Sequence, residues 1–114
     1  MTSPITTHVL DTARGVAAAG VPVVLEREGE PGAWRVVGRG ETDADGRLRT
    51  LLPAGALAAG VYRLSFDAGV YFAAAGVTGF YRRVQVEFVV RDAAAHHHVP
   101  LLLSPFGYST YRGT

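Results

Sequence analysis

The sequence predicts an all-β sandwich, and three observations lead to this prediction. Short runs of β-branched and aromatic residues recur along the 114-residue chain, apolar and polar side chains alternate within them, and Gly, Pro and Asp-Gly turn signals separate them. This spacing corresponds to about seven or eight short strands, as in two-sheet sandwiches. The length is that of one domain, which we expect to span residues 1–114.

The first half of the chain is predicted to form hairpins. The expected strands are Ile5–Asp11, Val21–Glu28, Trp34–Arg39 and Leu48–Leu52. Glycine and proline in the segment Glu28–Gly32 supply the dihedral angles of a turn. The Asp45-Gly46 pair suits the positive φ angle of a second turn, and Pro53 ends the last of these strands.

In the second half of the chain, apolar and polar side chains alternate in the same way, with one interruption. Its expected strands are Val61–Phe66, Val84–Val90 and His96–Leu103, followed by an edge strand from Gly107. Three alanines in Tyr71–Gly76 favour a short helix instead, and Gly76 would end it after about two turns. We therefore expect one short helix within a structure of strands.

The composition excludes several kinds of protein. A net charge of +1, from 11 arginines and 10 acidic residues, does not provide the strongly basic surface of a nucleic-acid-binding protein. The absence of cysteine excludes disulfides and thiolate chemistry. The first residues lack the basic start and apolar core of a signal peptide, and no apolar run reaches the roughly 20 residues of a membrane span. These features predict a soluble cytoplasmic domain that binds neither nucleic acid nor a membrane.

The last seven residues, Tyr108–Thr114, form the most unusual segment of the chain. Chain ends are usually frayed and bland, whereas this one carries two tyrosines, an arginine, three hydroxyl side chains and a glycine. We expect the segment to fold back into a site or an interface. The other residues whose side chains suit catalysis or ligand binding are His8, Arg47 and the run His96–His98.

Two of the histidines are predicted to share one face of a strand. Because side chains alternate along a strand, His96 and His98 face one way and His97 faces the other. Two imidazoles could bind zinc, but such a site usually needs a third protein ligand and no carboxylate lies near in sequence, so no metal site is expected. Imidazole also suits general acid–base catalysis, because its ordinary pKa is about 6.5. A lone histidine such as His8 is more often structural.

Arg47 and the tail are each open to two interpretations. Arg47 follows the Asp-Gly turn, where its guanidinium could hold an anionic or carbonyl-rich ligand or could simply be solvated. Arg112 is either solvated or an anchor for the tail. Tyr108 and Tyr111 lie three apart and would face opposite sides of an extended tail, so that one packs and the other presents its hydroxyl. These residues predict a His/Arg/Tyr site without naming a substrate.

Four segments carry a resemblance to a known family. They are His8–Asp11, Thr42–Arg47, His98–Ser104 and Tyr108–Thr114. In this order and spacing, over essentially the whole chain, they resemble the transthyretin-related 5-hydroxyisourate hydrolases, whose hallmark is a C-terminal Tyr-Arg-Gly-Ser-type ending. The resemblance implies a prealbumin-like sandwich of two four-stranded sheets with one short helix, here Tyr71–Ala75. It also implies a homotetramer, a dimer of dimers, whose sites form where subunits meet across a central channel.

The activity that this resemblance implies is hydrolysis of 5-hydroxyisourate without a cofactor. The six-membered ring of this product of urate oxidation would open to give 2-oxo-4-hydroxy-4-carboxy-5-ureidoimidazoline. By position, the implied site residues are His8, Arg47, His98, Tyr111, Arg112, Gly113 and Thr114. Among these, Arg112 and Gly113 would only support the tail.

The implied roles follow the needs of a reaction in which water attacks a carbonyl and a base takes its proton. His8 and His98 would position and deprotonate the water. Arg47 would hold the substrate's oxygens and keep a nearby imidazole neutral. Tyr111, with the hydroxyl and carboxylate of Thr114, would orient the substrate or a histidine.

Two departures from the family pattern accompany the resemblance, and two other functions compete with it. Thr114 stands where the family commonly has serine, and it keeps the hydroxyl. Phe80–Arg83 stands where relatives usually show two aromatic residues followed by Pro-Glu, and we expect an altered loop conformation or surface charge there.

A transthyretin-like carrier of a small aromatic ligand would favour an apolar channel over histidines and arginine. A structural sandwich module would be accompanied by signal sequences, linkers or further domains.

Overall fold

The computed structural model describes residues 2–114 and shows two β-sheets and one short helix, which confirms the predicted all-β sandwich. The elements in chain order are β1 (Ile5–Asp11), β2 (Val16–Ala17), β3 (Pro22–Glu28), β4 (Trp34–Glu41), β5 (Arg47–Leu48), β6 (Gly60–Phe66), α1 (Ala68–Ala74), β7 (Val84–Val90), β8 (His97–Ser104) and β9 (Gly107–Thr110). No helix within residues 2–114 is long and apolar enough to cross a membrane.

The strands form two sheets that differ in their number of strands. One sheet has the order β2-β1-β8-β9, with β5 also paired to β1, and the other has the order β4-β3-β6-β7. β1 and β8 run parallel, whereas the other paired strands are antiparallel. The implied count of four strands holds in the second sheet, and the short β5 is an additional strand in the first. β7 and β9 each lie at the edge of their sheet.

Alternation along β1 and β8 separates core residues from outward-facing ones. Ile5 and Val9 are fully buried between the two sheets. Thr6, His8 and His98 take the alternate positions and therefore point to the outer face. The core is completed by large buried side chains from both sheets, which include Leu25, Tyr62, Leu64, Phe66, Leu101 and Leu103. The fold thus leaves a row of polar side chains on the outside of β1 and β8.

The predicted strand Leu48–Leu52 is wrong beyond its first residue. The observed strand β5 covers Arg47–Leu48 only. After it the chain turns inward, and Leu51 and Leu52 are buried together. The Leu52 N–H donates to the Ser3 hydroxyl at 3.0 Å instead of joining a strand ladder. Two consecutive leucines cannot both enter the core from a regular strand, because strand side chains alternate.

The predicted helix Tyr71–Ala75 begins three residues too late and ends one residue too late, since the observed helix α1 covers Ala68–Ala74. Helix α1 begins at Ala68 because Asp67 is its N-cap: the Asp67 carboxylate accepts the Val70 N–H at 3.1 Å. Gly76 follows the end of the helix with a φ of +69°, as a residue beyond a helix C-terminus often does. Smaller differences concern strands: β3 and β8 begin one residue later than predicted, β6 begins one residue earlier, β4 ends two residues later, β8 ends one residue later, and the short β2 is an addition.

The segment Phe80–Arg83, which departs from the family pattern, lies on the surface before β7. Its backbone is held at two points: the Phe80 N–H donates to the Pro105 carbonyl at 2.7 Å, and the Arg82 carbonyl accepts the Gly69 N–H at 2.8 Å. Both arginine side chains are exposed. The altered loop conformation or surface charge expected there stays a prediction.

Candidate active site

Two histidines and a threonine form a cluster on the outer face of the sheet that contains β1 and β8. The parallel register places Thr6 opposite His98. The Thr6 hydroxyl lies 2.9 Å from His96 Nε2 and 2.8 Å from His98 Nδ1. The two imidazole rings are 6.3 Å apart between centroids and inclined by 24°. The prediction that His96 and His98 share a face is confirmed, and His97 is buried on the other side.

The turn Asp43–Arg47 places Arg47 beside this cluster. Gly46 has a φ of +76°, as the Asp-Gly pair predicts. The Asp43 carboxylate accepts the N–H groups of Asp45 and Arg47, both at 2.9 Å. The hydrogen bond from the Arg47 N–H is the main cause that lowers the pKa of Asp43. Pairing of β5 with β1 then sets Arg47 opposite His8, so the backbone of Arg47 is held both by the turn and by the strand pairing.

His8 lies on the same face of β1, between the strand that carries Arg47 and the strand that carries His98. The His8 Nε2–H donates to the Asp45 carbonyl at 2.9 Å. In the neutral ring this leaves Nδ1 as the nitrogen without a proton. The turn that positions Arg47 therefore also sets the tautomer of His8.

These elements surround a polar pocket that is open to solvent. The pocket has a volume of 180 Å³, and its lining is Thr2, Thr6, Thr7, Arg47, Arg49, His96, His98 and Thr114. Among these described residues there are two arginines and two imidazoles and no acidic side chain. A pocket of this composition suits an anionic or carbonyl-rich ligand, because guanidinium groups offer paired N–H donors to oxygen atoms.

The Arg47 side chain forms neither a salt bridge nor a side-chain hydrogen bond within residues 2–114. The ion pair that does form there joins Arg63 to Glu26 on the other sheet. A guanidinium carries five N–H donors and no acceptor. Those of Arg47 are therefore available to a ligand in the pocket.

The surroundings of His98 favour its neutral form. Burial lowers the pKa of His98 below its usual 6.5, and the nearby side chains of His96, His8 and Arg47 lower it further. An imidazole with a lowered pKa is unprotonated at neutral pH. That is the state in which it can accept a proton as a general base.

The tail folds back onto His98 through Gly113. The Gly113 N–H donates to the His98 carbonyl at 2.8 Å, and the two residues form an isolated antiparallel bridge. A Cβ atom at Gly113 would lie 2.6 Å from His98 Cδ2 and 3.3 Å from Pro100 Cγ. Only glycine can therefore lie this close to the imidazole ring. The close approach brings Thr114 into the lining of the pocket.

Tyr111 and Arg112 lie outside the His98 pocket. Tyr111 is 56% exposed and lines a separate depression together with Phe88, His97 and Val99. The Arg112 guanidinium lies 3.4 Å from the His96 carbonyl, a long contact that links the tail to the start of β8. Within one chain, the structure thus brings Arg47, His98 and Thr114 together, with His8 beside them, and leaves Tyr111 apart.

Five lining residues were not among the predicted site residues, namely Thr2, Thr6, Thr7, Arg49 and His96. The His-x-His spacing was a signal for His96, and Thr6 lies two residues before His8 on the same strand face. No motif in the sequence indicated Arg49 as a site residue. Within residues 2–114, no three His, Cys, Asp or Glu side chains come together in a way that could hold a metal ion. The two imidazoles instead converge on the hydroxyl of Thr6.

The sequence profile of the HIUase/Transthyretin family matches residues 5–113. The chain belongs to this family. The 5-hydroxyisourate hydrolase of Caulobacter vibrioides is 49% identical over 117 residues, which cover 98% of this chain and 99% of that protein. The solved structure of Klebsiella pneumoniae 5-hydroxyisourate hydrolase has a TM-score of 0.82 and 41% identity, and the match covers 96% of this chain and 98% of that one. Sea bream transthyretin in complex with thyroxine has a TM-score of 0.91 and 32% identity, with 97% and 95% covered.

Membership of the HIUase/Transthyretin family confirms the resemblance that the motifs indicated. The backbone alone does not separate enzyme from carrier, since the transthyretin superposes on this chain at least as well as the hydrolase does. The sequence identities are higher with the two hydrolases than with the transthyretin. The chemistry of the pocket is therefore the feature that must distinguish the two functions.

Proposed function

We propose that this chain hydrolyses 5-hydroxyisourate. The observation that carries the proposal is the pocket that contains both Arg47, which forms no salt bridge within residues 2–114, and the neutral imidazole of His98. The proposed substrate is a small ring that is rich in carbonyl groups, which a guanidinium can hold through paired hydrogen bonds. The names and the full-length identities of the hydrolase relatives support the same activity.

The proposed reaction begins when a base removes a proton from water as the water attacks a ring carbonyl. His98 contributes a neutral ring to the pocket, and His8 contributes Nδ1 because its Nε2–H is bonded to the Asp45 carbonyl. The His8 and His98 rings both lie on the outer face of β1 and β8. We assign the positioning and deprotonation of water to these two histidines together.

The attack places negative charge on the carbonyl oxygen, which needs nearby hydrogen-bond donors. Arg47 supplies them through its guanidinium, and the Thr114 hydroxyl supplies a further donor at the wall of the pocket. Cleavage of the adjacent ring C–N bond then opens the six-membered ring. The product is 2-oxo-4-hydroxy-4-carboxy-5-ureidoimidazoline, and no cofactor is needed for any step.

We propose further that neighbouring subunits of a homotetramer complete the site. The pocket of one chain measures 180 Å³, below the roughly 300–1,000 Å³ of most small-molecule sites. Phe80 and Phe106 are 71% and 74% exposed, and Tyr111 is also largely exposed. The sheet edges at β7 and β9 offer unpaired backbone groups to a second chain. Subunits that cover these surfaces would allow Tyr111 of one chain to reach the pocket of another.

The decay of 5-hydroxyisourate tests the activity directly. The compound is generated in place from urate by urate oxidase, and its ultraviolet absorbance is followed with and without the protein. We expect the wild-type protein to accelerate the decay and the His98→Asn variant to lose this acceleration while keeping the fold. Light scattering on the same samples measures the mass in solution, which we expect to be that of a tetramer.

A carrier would give a different result in the same experiment. It would bind a small aromatic ligand in a fixed ratio and leave the decay of 5-hydroxyisourate unchanged. A soluble tetramer without any acceleration would therefore overturn the proposed hydrolase. A stable monomer with full activity would overturn the shared site and leave the hydrolase standing.

A further inference from the structure

The Thr6 hydroxyl is shared between two imidazole rings. Thr6 is buried, with 3% of its surface exposed, and its hydroxyl contacts His96 Nε2 and His98 Nδ1 at 2.9 Å and 2.8 Å. It has no other hydrogen-bond partner among residues 2–114. The backbone groups of Thr6 already pair β1 with β8, so the side chain is not required for the sheet.

A hydroxyl carries one proton and donates one hydrogen bond, which restricts the two rings. If Thr6 donates to His98 Nδ1, the neutral His98 ring carries its proton on Nε2 and cannot act as a base there. If Thr6 donates to His96 Nε2, the His98 Nδ1–H donates to Thr6 and His98 Nε2 is free of a proton. Only the second arrangement leaves His98 with a basic nitrogen on the side away from Thr6.

We propose that Thr6 is a positioning residue that links the tautomers of His96 and His98, and that its hydroxyl relays to His96 the proton that His98 removes from water. This inference rests on the proposed hydrolase function and adds a route for the proton. Thr6 itself does not touch the reacting atoms. It acts through the orientation and protonation of His98.

The relay balances in protons and involves no oxidation. Water transfers a proton to His98 Nε2, and its oxygen forms the new bond to the carbonyl carbon. The His98 Nδ1–H proton passes to the Thr6 oxygen, while the Thr6 hydroxyl proton passes to His96 Nε2. When the ring C–N bond breaks, the reverse relay returns a proton through His98 Nε2 to the leaving nitrogen.

The two rings differ in their exposure to solvent. His98 is half-buried and lies near His8 and Arg47, so a proton held by His98 adds positive charge where positive charge is already concentrated. His96 is exposed. The relay therefore carries the proton from the half-buried ring to the exposed one.

Nitrogen-15 spectra of the histidine-labelled full chain test the linkage, because they show which ring nitrogen carries the proton. In the wild-type protein we expect His98 to be protonated on Nδ1 and bare on Nε2. Thr6→Val removes the hydroxyl and keeps a β-branched side chain, so we expect this tautomer preference to be lost. We expect kcat to fall about tenfold to hundredfold, less than or equal to the effect of a positioned base itself, with KM nearly unchanged. Thr6→Ser should restore both the spectrum and kcat.

Thr42→Val is the matched control. Thr42 is as buried as Thr6, and its hydroxyl also makes two hydrogen bonds, donating to the Ala18 carbonyl at 2.7 Å and accepting the Val21 N–H at 2.9 Å. Neither bond involves a histidine. We expect Thr42→Val to lower the melting temperature and to leave the His98 spectrum and kcat unchanged.

The outcomes separate the relay from the proposed function. His98 protonated on Nε2 in the wild-type protein, or a Thr6→Val variant with an unchanged spectrum and kcat, would overturn the relay. If Thr6→Val does not fold, the wild-type spectrum and the Thr6→Ser variant decide the question. If the wild-type protein does not accelerate the decay of 5-hydroxyisourate, the proposed function fails and the relay fails with it as a catalytic step, whereas the spectra still decide whether Thr6 links the two tautomers.

Discussion

Arg47 and Arg63 lie on different sheets. Within residues 2–114, the charge of Arg63 is paired with a carboxylate, whereas that of Arg47 is not. Arg63, on β6, donates from Nε and Nη2 to the Glu26 carboxylate at 3.1 Å and 2.9 Å. Its guanidinium also lies 4.2 Å from the centre of the Trp34 ring. Arg47, on β5, has no carboxylate partner within residues 2–114 and opens into the pocket that contains His98.

The difference distinguishes a structural ion pair from a charge that can bind a ligand. A groove of 370 Å³ lies over Arg63, and Glu26, Arg39, Asp67 and Arg83 are among its lining. It is larger than the His98 pocket, but its lining contains no imidazole, and two acidic side chains oppose its arginines. Size therefore does not identify the site. An unpaired guanidinium next to a neutral imidazole does.

The largest expected effect on activity is that of removing the His98 imidazole. We expect His98→Asn to lower kcat by about 10²- to 10⁴-fold, the usual contribution of a positioned base. His97→Asn is the control, because His97 is buried on the opposite face and its Nδ1–H donates to the Ala95 carbonyl at 2.9 Å. We expect that variant to lose thermal stability and to keep its activity per folded molecule. Steady-state kinetics with melting curves measure both, and equal losses in the two variants would contradict the assignment.

Replacement of each arginine by lysine compares the two charges directly. Arg47→Lys keeps the charge but loses the planar pair of donors. We expect a cost of about 1.5–3 kcal/mol, or about tenfold to hundredfold in kcat/KM. Arg63→Lys likewise keeps the charge but loses the paired donation to the Glu26 carboxylate, and because this ion pair is partly exposed and worth roughly 0–1 kcal/mol, stability should change little and kcat/KM should not change. A similar loss of kcat/KM in both variants would mean that Arg47 has no special role.

The sequence predicts those parts of the fold that depend on local pattern. Alternation and turn residues lie within a few positions of each other, so the long strands and the Asp-Gly turn were found. The end of β5 was missed because Leu51 and Leu52 are drawn into a core made by distant strands. The start of α1 differs from the prediction because the Asp67 N-cap, a local signal, lies upstream of the three alanines that predict the helix.

In the candidate site, too, some features follow from short sequence motifs and others depend on contacts between residues that are distant in the sequence. His8, Arg47, His98 and Thr114 were found through motifs, and the structure brings them to one region of the outer face. The role of Thr6 depends on its register opposite His98, a contact across 92 positions of sequence. The proposed place of Tyr111 in the pocket of a neighbouring subunit depends on assembly and not on local sequence. Motifs therefore identify the residues, whereas register and assembly determine what they contact.

Substitution of Gly113 tests how closely the tail must approach the pocket for activity. In Gly113→Ala the new Cβ would meet His98 Cδ2 at 2.6 Å, so the ring or the tail must move. We expect kcat to fall about tenfold or more, because displacement of a catalytic group by about 1 Å can cost up to a hundredfold. Gly107→Ala is the matched control, since its Cβ would meet only the Ser104 hydroxyl at an ordinary 3.7 Å. Unchanged kinetics in Gly113→Ala would show that the tail contact does not position His98.

The pH dependence of kcat/KM gives the smallest and most specific contrast between the two arginines. Protonated His98 cannot act as a base, so activity is lost as the pH falls through the pKa of His98. Burial, His96, His8 and Arg47, in that order, lower the pKa of His98, and the acid limb of the wild-type profile should therefore lie below pH 6.5. Arg47→Gln removes one of the nearby positive charges, so the limb should move upward, and only slightly because Arg47 is the weakest of the causes that lower this pKa. Arg63→Gln, on the other sheet, should leave the limb in place. A limb that stays fixed in Arg47→Gln, measured on residual activity, would mean that the guanidinium does not influence the charge state of His98.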